Sequence, residues 1–423
     1  MFKKTVLDNG LRIITAPMQG TNTVTVLVLC GTGSDYESSE QGGISHFLEH
    51  MFFKGTARRP GPEIIAEELD QMGSIHNAFT SHEITGYFIK AGKGFLNQSL
   101  DILSDIYNNS FLKEEEVEKE KQVIVEEMHQ DKDTPTTYVW WVWENILYGD
   151  QPAGRDVIGQ EATVRGLKRE DFVNYFFHQY VAANTAVVVA GNFDERASLE
   201  LIKSSFLDIR HERPIRSKPP VSEPQATPAV AVSFKETDQT HMVIGFRGYD
   251  ANHPRRYAAD VLATLLGGGM SSRMFIEIRE RLGLAYAVFT GHEAYSNRGY
   301  LTTYVGVDHR NVEKTLGATL KEYKRICDEP VSVRELSKVK DSIKGRTLIA
   351  LEQSSAVANF VGVEELLTGQ PLTVDEVFAK IDAVTAEDLA AVARELMRPE
   401  KLNLAMIGPF KDGDKFQKLL AEF

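Results

Sequence analysis

The chain has 423 residues, 42% of them hydrophobic and 25% charged, with a formal net charge of −13. This composition excludes an intrinsically disordered chain and allows more than one core, while the acidity disfavours nucleic acid and favours cationic ligands. No apolar run reaches the roughly 18 residues of a membrane span, the N-terminus has no signal-peptide core, and Cys30 and Cys327 lie too far apart to suggest a disulfide scaffold; a cytoplasmic protein with no membrane partner is expected.

In chain order, the N-terminal segment enters a strand-like Leu/Ile alternation, and Thr23–Leu29 (TVTVLVL) and Tyr87–Lys90 have strand character. Helical periodicity covers 44–54, 62–72, 95–109 and 113–132. Trp140, Trp141 and Trp143 come next and are read as core, since aromatic stripes usually serve burial. Beyond the prolines at 214, 219, 220, 224 and 228, strands are expected at Met242–Phe246, Ala287–Phe289 and Tyr300–Val307, and helices near 254–266, 271–282, 310–327 and 331–350. Gly267-Gly268-Gly269 lacks the Gly-Lys-Ser/Thr ending of a phosphate loop and is read as a structural loop.

The chain repeats. Ala-Gly-Asn-Phe-Asp (190–194) and Ile-Gly-Pro-Phe-Lys (407–411) each come after a strand-like run, at an offset of 408 − 191 = 217, and the same offset pairs Asp171 with Asp388 and Phe206 with Phe423. The expectation is an α+β fold of two homologous α/β domains, 1–210 and 229–423, each a mostly antiparallel sheet covered by helices, joined by a linker at 211–228.

Residues 46–50 read His-Phe-Leu-Glu-His. On a helix, positions 46 and 50 differ by about 40°, so both imidazoles can reach one Zn²⁺ with Glu49 on the adjoining flank as a base. A catalytic zinc takes a third protein ligand. In 113–132, Val117, Ile124 and Met128 form an apolar stripe on which Glu120 and Glu127 fall, whereas Glu126 projects about 200° from Ile124 into solvent. Glu127 is the expected ligand and Glu120 the carboxylate that orients a metal-binding imidazole. His82 and His129, the competing ligands, do not share that stripe.

At GGISHFLEHMFFKGT (42–56), GSIHNAFTSHEITGYF (73–88), EKQVIVEEM (120–128), LLGGGMSSRMF (265–275) and IRERLGLAYAVF (278–289) the chain resembles the pitrilysin (M16) family of zinc peptidases with the inverted motif, and within it the bacterial proteins related to mitochondrial processing peptidase. The resemblance spans essentially the whole chain. It implies a final glutamate ligand after 76 intervening residues (51–126), which lands on Glu127, and a second glutamate at Glu120. It further implies that the edge strand at Asn77, Ala78, Phe79 and Thr80 pairs with the substrate main chain, and that Arg279 and Tyr286 reach over the zinc from the opposite domain to contact the substrate.

The resemblance implies a zinc endopeptidase for extended or unfolded oligopeptides, with basic ones favoured by the net charge, one Zn²⁺ per chain, and a homodimer in which each chain forms half of a clam-like chamber. The alternatives are the catalytic subunit of a heterodimer with an inactive sister, and a noncatalytic scaffold or peptide-binding subunit like the core proteins of the respiratory bc1 complex.

Overall fold

The computed structural model describes residues 2–423. The first half runs β1 (Lys3–Val6), β2 (Arg12–Pro17), β3 (Thr23–Cys30), α1 (Ile44–Met51), α2 (Pro62–Gln71), β4 (Ile75–Thr80), β5 (Thr85–Gly92), α3 (Leu96–Asn109), α4 (Glu114–Asp133), α5 (Pro135–Tyr148), α6 (Glu161–Gly166), α7 (Arg169–Gln179), β6 (Thr185–Gly191) and α8 (Glu195–Ser205). The second runs β7 (Ala229–Phe234), β8 (Thr240–Arg247), α9 (Arg256–Gly267), a π-helix (Phe275–Arg281), β9 (Ala285–Ala294), β10 (Gly299–Val307) and α10 (Val312–Asp328). It continues with α11 (Val333–Ala350), α12 (Ser354–Thr368), α13 (Val374–Ala383), α14 (Ala386–Leu396), β11 (Leu402–Gly408) and α15 (Asp414–Ala421). Among the described residues no helix is long and apolar enough to cross a membrane.

The elements form two sheets, ordered β1-β2-β6-β3-β5-β4 and β7-β11-β8-β10-β9. In each, one pair is parallel, β2 with β6 and β7 with β11, and every other pair is antiparallel. The central strand β6 reads Thr-Ala-Val-Val-Val-Ala-Gly and is buried at every position, as a strand covered on both faces must be. The edge strand β4, Ile-His-Asn-Ala-Phe-Thr, is exposed over its first half. This is the α+β fold of two homologous halves that the sequence predicts.

The 217-residue offset carries β3 (23–30) onto β8 (240–247), β6 (185–191) onto β11 (402–408) and α7 (169–179) onto α14 (386–396), end to end. The compact units are nevertheless not contiguous segments. The first comprises 1–129, 155–219 and 348–373, and the second 130–154, 220–347 and 374–423. The two halves have therefore exchanged repeat-related helices. In the first unit, Val357, Ala358 and Val361 of α12 bury against Leu27, Leu29 and Val188 of its sheet. In the second, Val139, Trp143 and Leu147 of α5 bury against Val243, Ala405 and Ile407. The expected linker divides at 219/220 between the units.

Trp143 is core, as expected, while Trp140 stacks on Phe289 and Tyr304 and lines a cavity of about 300 Å³ in the second unit with Gly291 and Tyr300. The glycine triplet is structural. A Cβ at Gly267 would meet the amide nitrogen of Thr290 at 2.2 Å, so the bare backbone lets α9 close onto β9.

The helix expected over 271–282 is a π-helix from Phe275 to Arg281, with Leu282 N–H donating to Glu277 O five residues back. Widened turns of this kind occur often at functional sites.

Candidate metal centre

Helix α1 carries the His-Phe-Leu-Glu-His run. Its opposite face, Ile44, Phe47, Leu48 and Met51, is fully buried, and the helix packs against β4, β5 and α7. Its N-cap, Gly43, has φ of +94°, and a Cβ there would meet Ile158 O at 2.5 Å, so only glycine suits the position. The cap side chain comes from elsewhere. Buried Glu37 accepts the N–H groups of Gly43 (2.7 Å) and Ser45 (2.8 Å), which supplies the otherwise missing acceptors and places negative charge at the helix start. Nothing in the sequence singled out Glu37; an acid six residues before a Gly-Gly helix entry is the one available signal.

The packing of α1 against the rest of its unit aims three side chains at one point. His46 Nε2 lies 3.7 Å from Glu127 Oε1, and His50 Nε2 lies 3.5 Å from Glu127 Oε2. The three ligand atoms all fall within 4.8 Å of one another, and this is the only such group among the described residues. Tetrahedral Zn²⁺ bonds of about 2.0–2.2 Å hold neighbouring ligand atoms about 3.4 Å apart, so the donor set and its spacing fit a zinc ion. Glu127 is less buried than a place on the apolar stripe predicts. Its side chain is 41% exposed, which leaves this side of the centre open to solvent.

Glu120 is 7% exposed and binds His50 Nδ1 at 2.9 Å and Lys54 Nζ at 2.6 Å. Donation from Nδ1–H fixes the tautomer that leaves the Nε2 lone pair toward Glu127. Burial alone would raise the proton affinity of Glu120, but its bonds to His50 and Lys54 hold its carboxyl below the usual range. Lys54 carries no signal of this role in the sequence; it lies four residues beyond His50, in the turn that follows α1. Glu120→Gln should weaken Zn²⁺ binding by about 10- to 100-fold, the usual effect of losing a partner of a metal-bound imidazole, with chelator competition as the measurement.

Burial, helped by His50, pushes the imidazole of His46 down to about 3, so it stands neutral, the form that donates to a metal. Burial would lower His50 as well, but the bond to Glu120 and the charges of Glu127 and Glu49 outweigh it and raise its pKa. The same negative field attracts a divalent cation.

Glu49 lies off the ligand cluster. Its carboxyl is raised by burial, which the bond from Thr80 Oγ1 to Oε2 (2.5 Å) partly offsets. Thr80 ends β4, so the candidate base is tied to the strand expected to hold substrate. Asn77, Ala78, Phe79 and Thr80 all sit on β4, which pairs with β5 on one side and ends the sheet on the other.

The rival histidines are placed elsewhere. His82 is buried beside Ser34 (2.9 Å) and Asp35 (3.5 Å), and His129 faces Glu161 at 3.7 Å. Arg279 and Tyr286 belong to the second unit. There Arg279 Nη1 donates to Tyr286 O at 3.0 Å, its guanidinium lies 4.3 Å from the Tyr286 ring centre, and the tyrosine is 77% exposed.

Family models match both halves of the chain, insulinase (peptidase family M16) over residues 12–161 and the peptidase M16 inactive domain over 166–343. The chain is 34% identical over 413 residues to an uncharacterized zinc protease of Bacillus subtilis, YmxG, covering 97% of this chain and 98% of that one. It is 31% identical over 422 residues to an uncharacterized zinc protease of Streptomyces coelicolor, covering 97% and 90%. The crystal structure of a protease from Helicobacter pylori superposes with a TM-score of 0.90 at 25% identity, covering 97% and 99%. Similarity of this length, to proteins named as zinc proteases, joins an inverted histidine motif on a buried helix, and the chain belongs to the M16 peptidase family.

Proposed function

We propose that this chain is a zinc-dependent endopeptidase acting on extended, unfolded oligopeptides. The observation that carries the reading is the convergence of His46, His50 and Glu127 beside a carboxylate, Glu49, that is hydrogen-bonded to the last residue of an open sheet edge. When bound, Zn²⁺ supplies Lewis acidity, polarising the scissile carbonyl and acidifying water. The residues of the chain do the rest. An extended peptide adds to the free edge of β4 at Asn77–Thr80 through main-chain hydrogen bonds, a mode that reads backbone more than side chains. Glu49 takes the proton from the attacking water and passes it to the leaving nitrogen.

For Arg279 and Tyr286 the reading keeps the roles the resemblance implies, an arginine on the substrate backbone and a phenol donating to the developing oxyanion. The net charge of −13 favours basic peptides. The working form is a homodimer in the cytoplasm. The test is cleavage of an unstructured basic fluorogenic peptide: wild type should cut it, chelation should abolish the cut, and Zn²⁺ should restore it. Cleavage that survives exhaustive chelation would remove the metal from the mechanism.

A further inference from the structure

Residues 211–219 have the composition of a tether, rich in proline and charge and without regular structure, yet they group with the first unit and half-bury two of their cations in it. Arg216 donates to Gln41 Oε1 and to Tyr36 O (3.4 Å), and its guanidinium lies 5.1 Å from the ring centre of Tyr175. These contacts surround the entry of the metal helix. Tyr36 and Gln41 flank Glu37, the carboxylate that caps α1, and Tyr175 Oη is hydrogen-bonded to Ser45 Oγ at 2.8 Å inside that helix. Burial raises the proton affinity of Glu37 on balance, opposed by its hydrogen bonds from Ser45 and Gly43 and, after them, by the charge of Arg216.

Two residues on, Lys218 enters a different part of the site. Its side chain is 11% exposed, binds Glu83 Oε1, and lies 3.9 Å from Asp35 Oδ2, both carboxylates being almost wholly buried. Glu83 belongs to the turn 81–84 that joins β4 to β5, and that turn is stitched to the 34–35 segment by Ser34 N–H to Ser81 O (3.3 Å) and Asp35 N–H to His82 O (2.9 Å). A tether needs no buried charge. A lysine placed among desolvated carboxylates is costly unless the pairing geometry is excellent, so this segment has a fixed seat.

We infer that residues 211–219 are a strap that holds the metal helix and the candidate substrate strand in register, with Arg216 positioning α1 through Tyr36, Gln41 and Tyr175 and Lys218 positioning β4 through Glu83 and Asp35. Neither side chain touches the reacting atoms; both are positioning residues. The inference rests on the proposed peptidase reading for its meaning, but the strap itself can be tested without activity.

The variants are Arg216→Met, which keeps the aliphatic stem and removes the charge, and the pair Lys218→Met with Glu83→Gln, which removes both charges of the closer pair and leaves Asp35 its neighbour His82 at 3.5 Å. Amide hydrogen exchange on the full chain is the first readout. In Arg216→Met exchange should speed up about tenfold or more across 43–51 and stay unchanged across 75–85, and in the double variant the pattern should reverse. The second readout is a split in function. Arg216→Met should weaken Zn²⁺ binding by about tenfold with KM of the zinc-saturated protein unchanged, and Arg216→Lys should restore part of it; the double variant should raise KM by about tenfold at unchanged Zn²⁺ affinity. Exchange unaltered in both segments, or faster throughout the unit to the same extent in both variants, would overturn the strap. A wild type with the expected exchange pattern but no zinc would instead overturn the peptidase reading and leave the strap standing.

Discussion

Glu49→Gln should lower kcat/KM for an unstructured peptide by about 10³-fold, within the 10²–10⁴ range of general acid–base catalysis, while zinc content and thermal stability stay at wild-type values. The glutamine keeps the shape of the side chain and an oxygen to accept the Thr80 hydroxyl, so the local structure has no reason to change. The variant loses only the capacity to take a proton. Glu49 is also poised for that task, because burial raises its proton affinity above that of an exposed glutamate. The assay is steady-state cleavage at saturating Zn²⁺, and a variant within tenfold of wild type would assign the proton transfer to another group.

His50→Ala should abolish cleavage and weaken zinc binding by on the order of 10³-fold, since each of three ligands carries a share of a metal-binding free energy of about 10–16 kcal/mol. The fold should survive. The stabilising face of α1 is Ile44, Phe47, Leu48 and Met51, all fully buried, and His50 lies on the other side. Removing the imidazole strips Glu120 of one partner but leaves it Lys54 at 2.6 Å, so in chelator the variant should melt within a few degrees of the wild-type chain, a loss of about 1 kcal/mol or less. Equilibrium dialysis with Zn²⁺ and a melting curve in chelator separate the two effects. A variant that binds zinc as wild type does would take His50 out of the ligand set.

Most of the fold was legible because its determinants are local or periodic. The 217-residue offset relates β8, β11 and α14 to β3, β6 and α7 end to end, although the strand expected at Met242–Phe246 runs from Thr240 to Arg247, and the stripe Val117, Ile124, Met128 gives the orientation of α4 from spacing alone. The five residues from His46 to His50 suffice to nominate two ligands and a base because helical geometry makes i and i+4 neighbours.

The rest depends on contacts between residues far apart in the chain. The exchange of α5 and α12 is decided by which sheet face each helix covers, and nothing in Val139 or Val361 says which. The pairing of Arg279 with Tyr286 depends on the widened π-turn that carries the arginine, and an Arg-Glu-Arg run reads as an ordinary exposed helix. Glu37 looks like one acid among many until Gly43 is seen to lack a side-chain cap. Arg216 and Lys218 read as tether charges because their partners, Gln41 and Glu83, are more than 130 residues away.

The decisive measurement is the zinc content of the purified chain after dialysis against metal-free buffer, read by plasma emission spectroscopy beside Glu127→Gln. The geometry of His46, His50 and Glu127 predicts one Zn²⁺ per wild-type chain and a large loss in the variant. A wild-type chain that takes up no zinc, or a Glu127→Gln chain that holds it equally well, would contradict it.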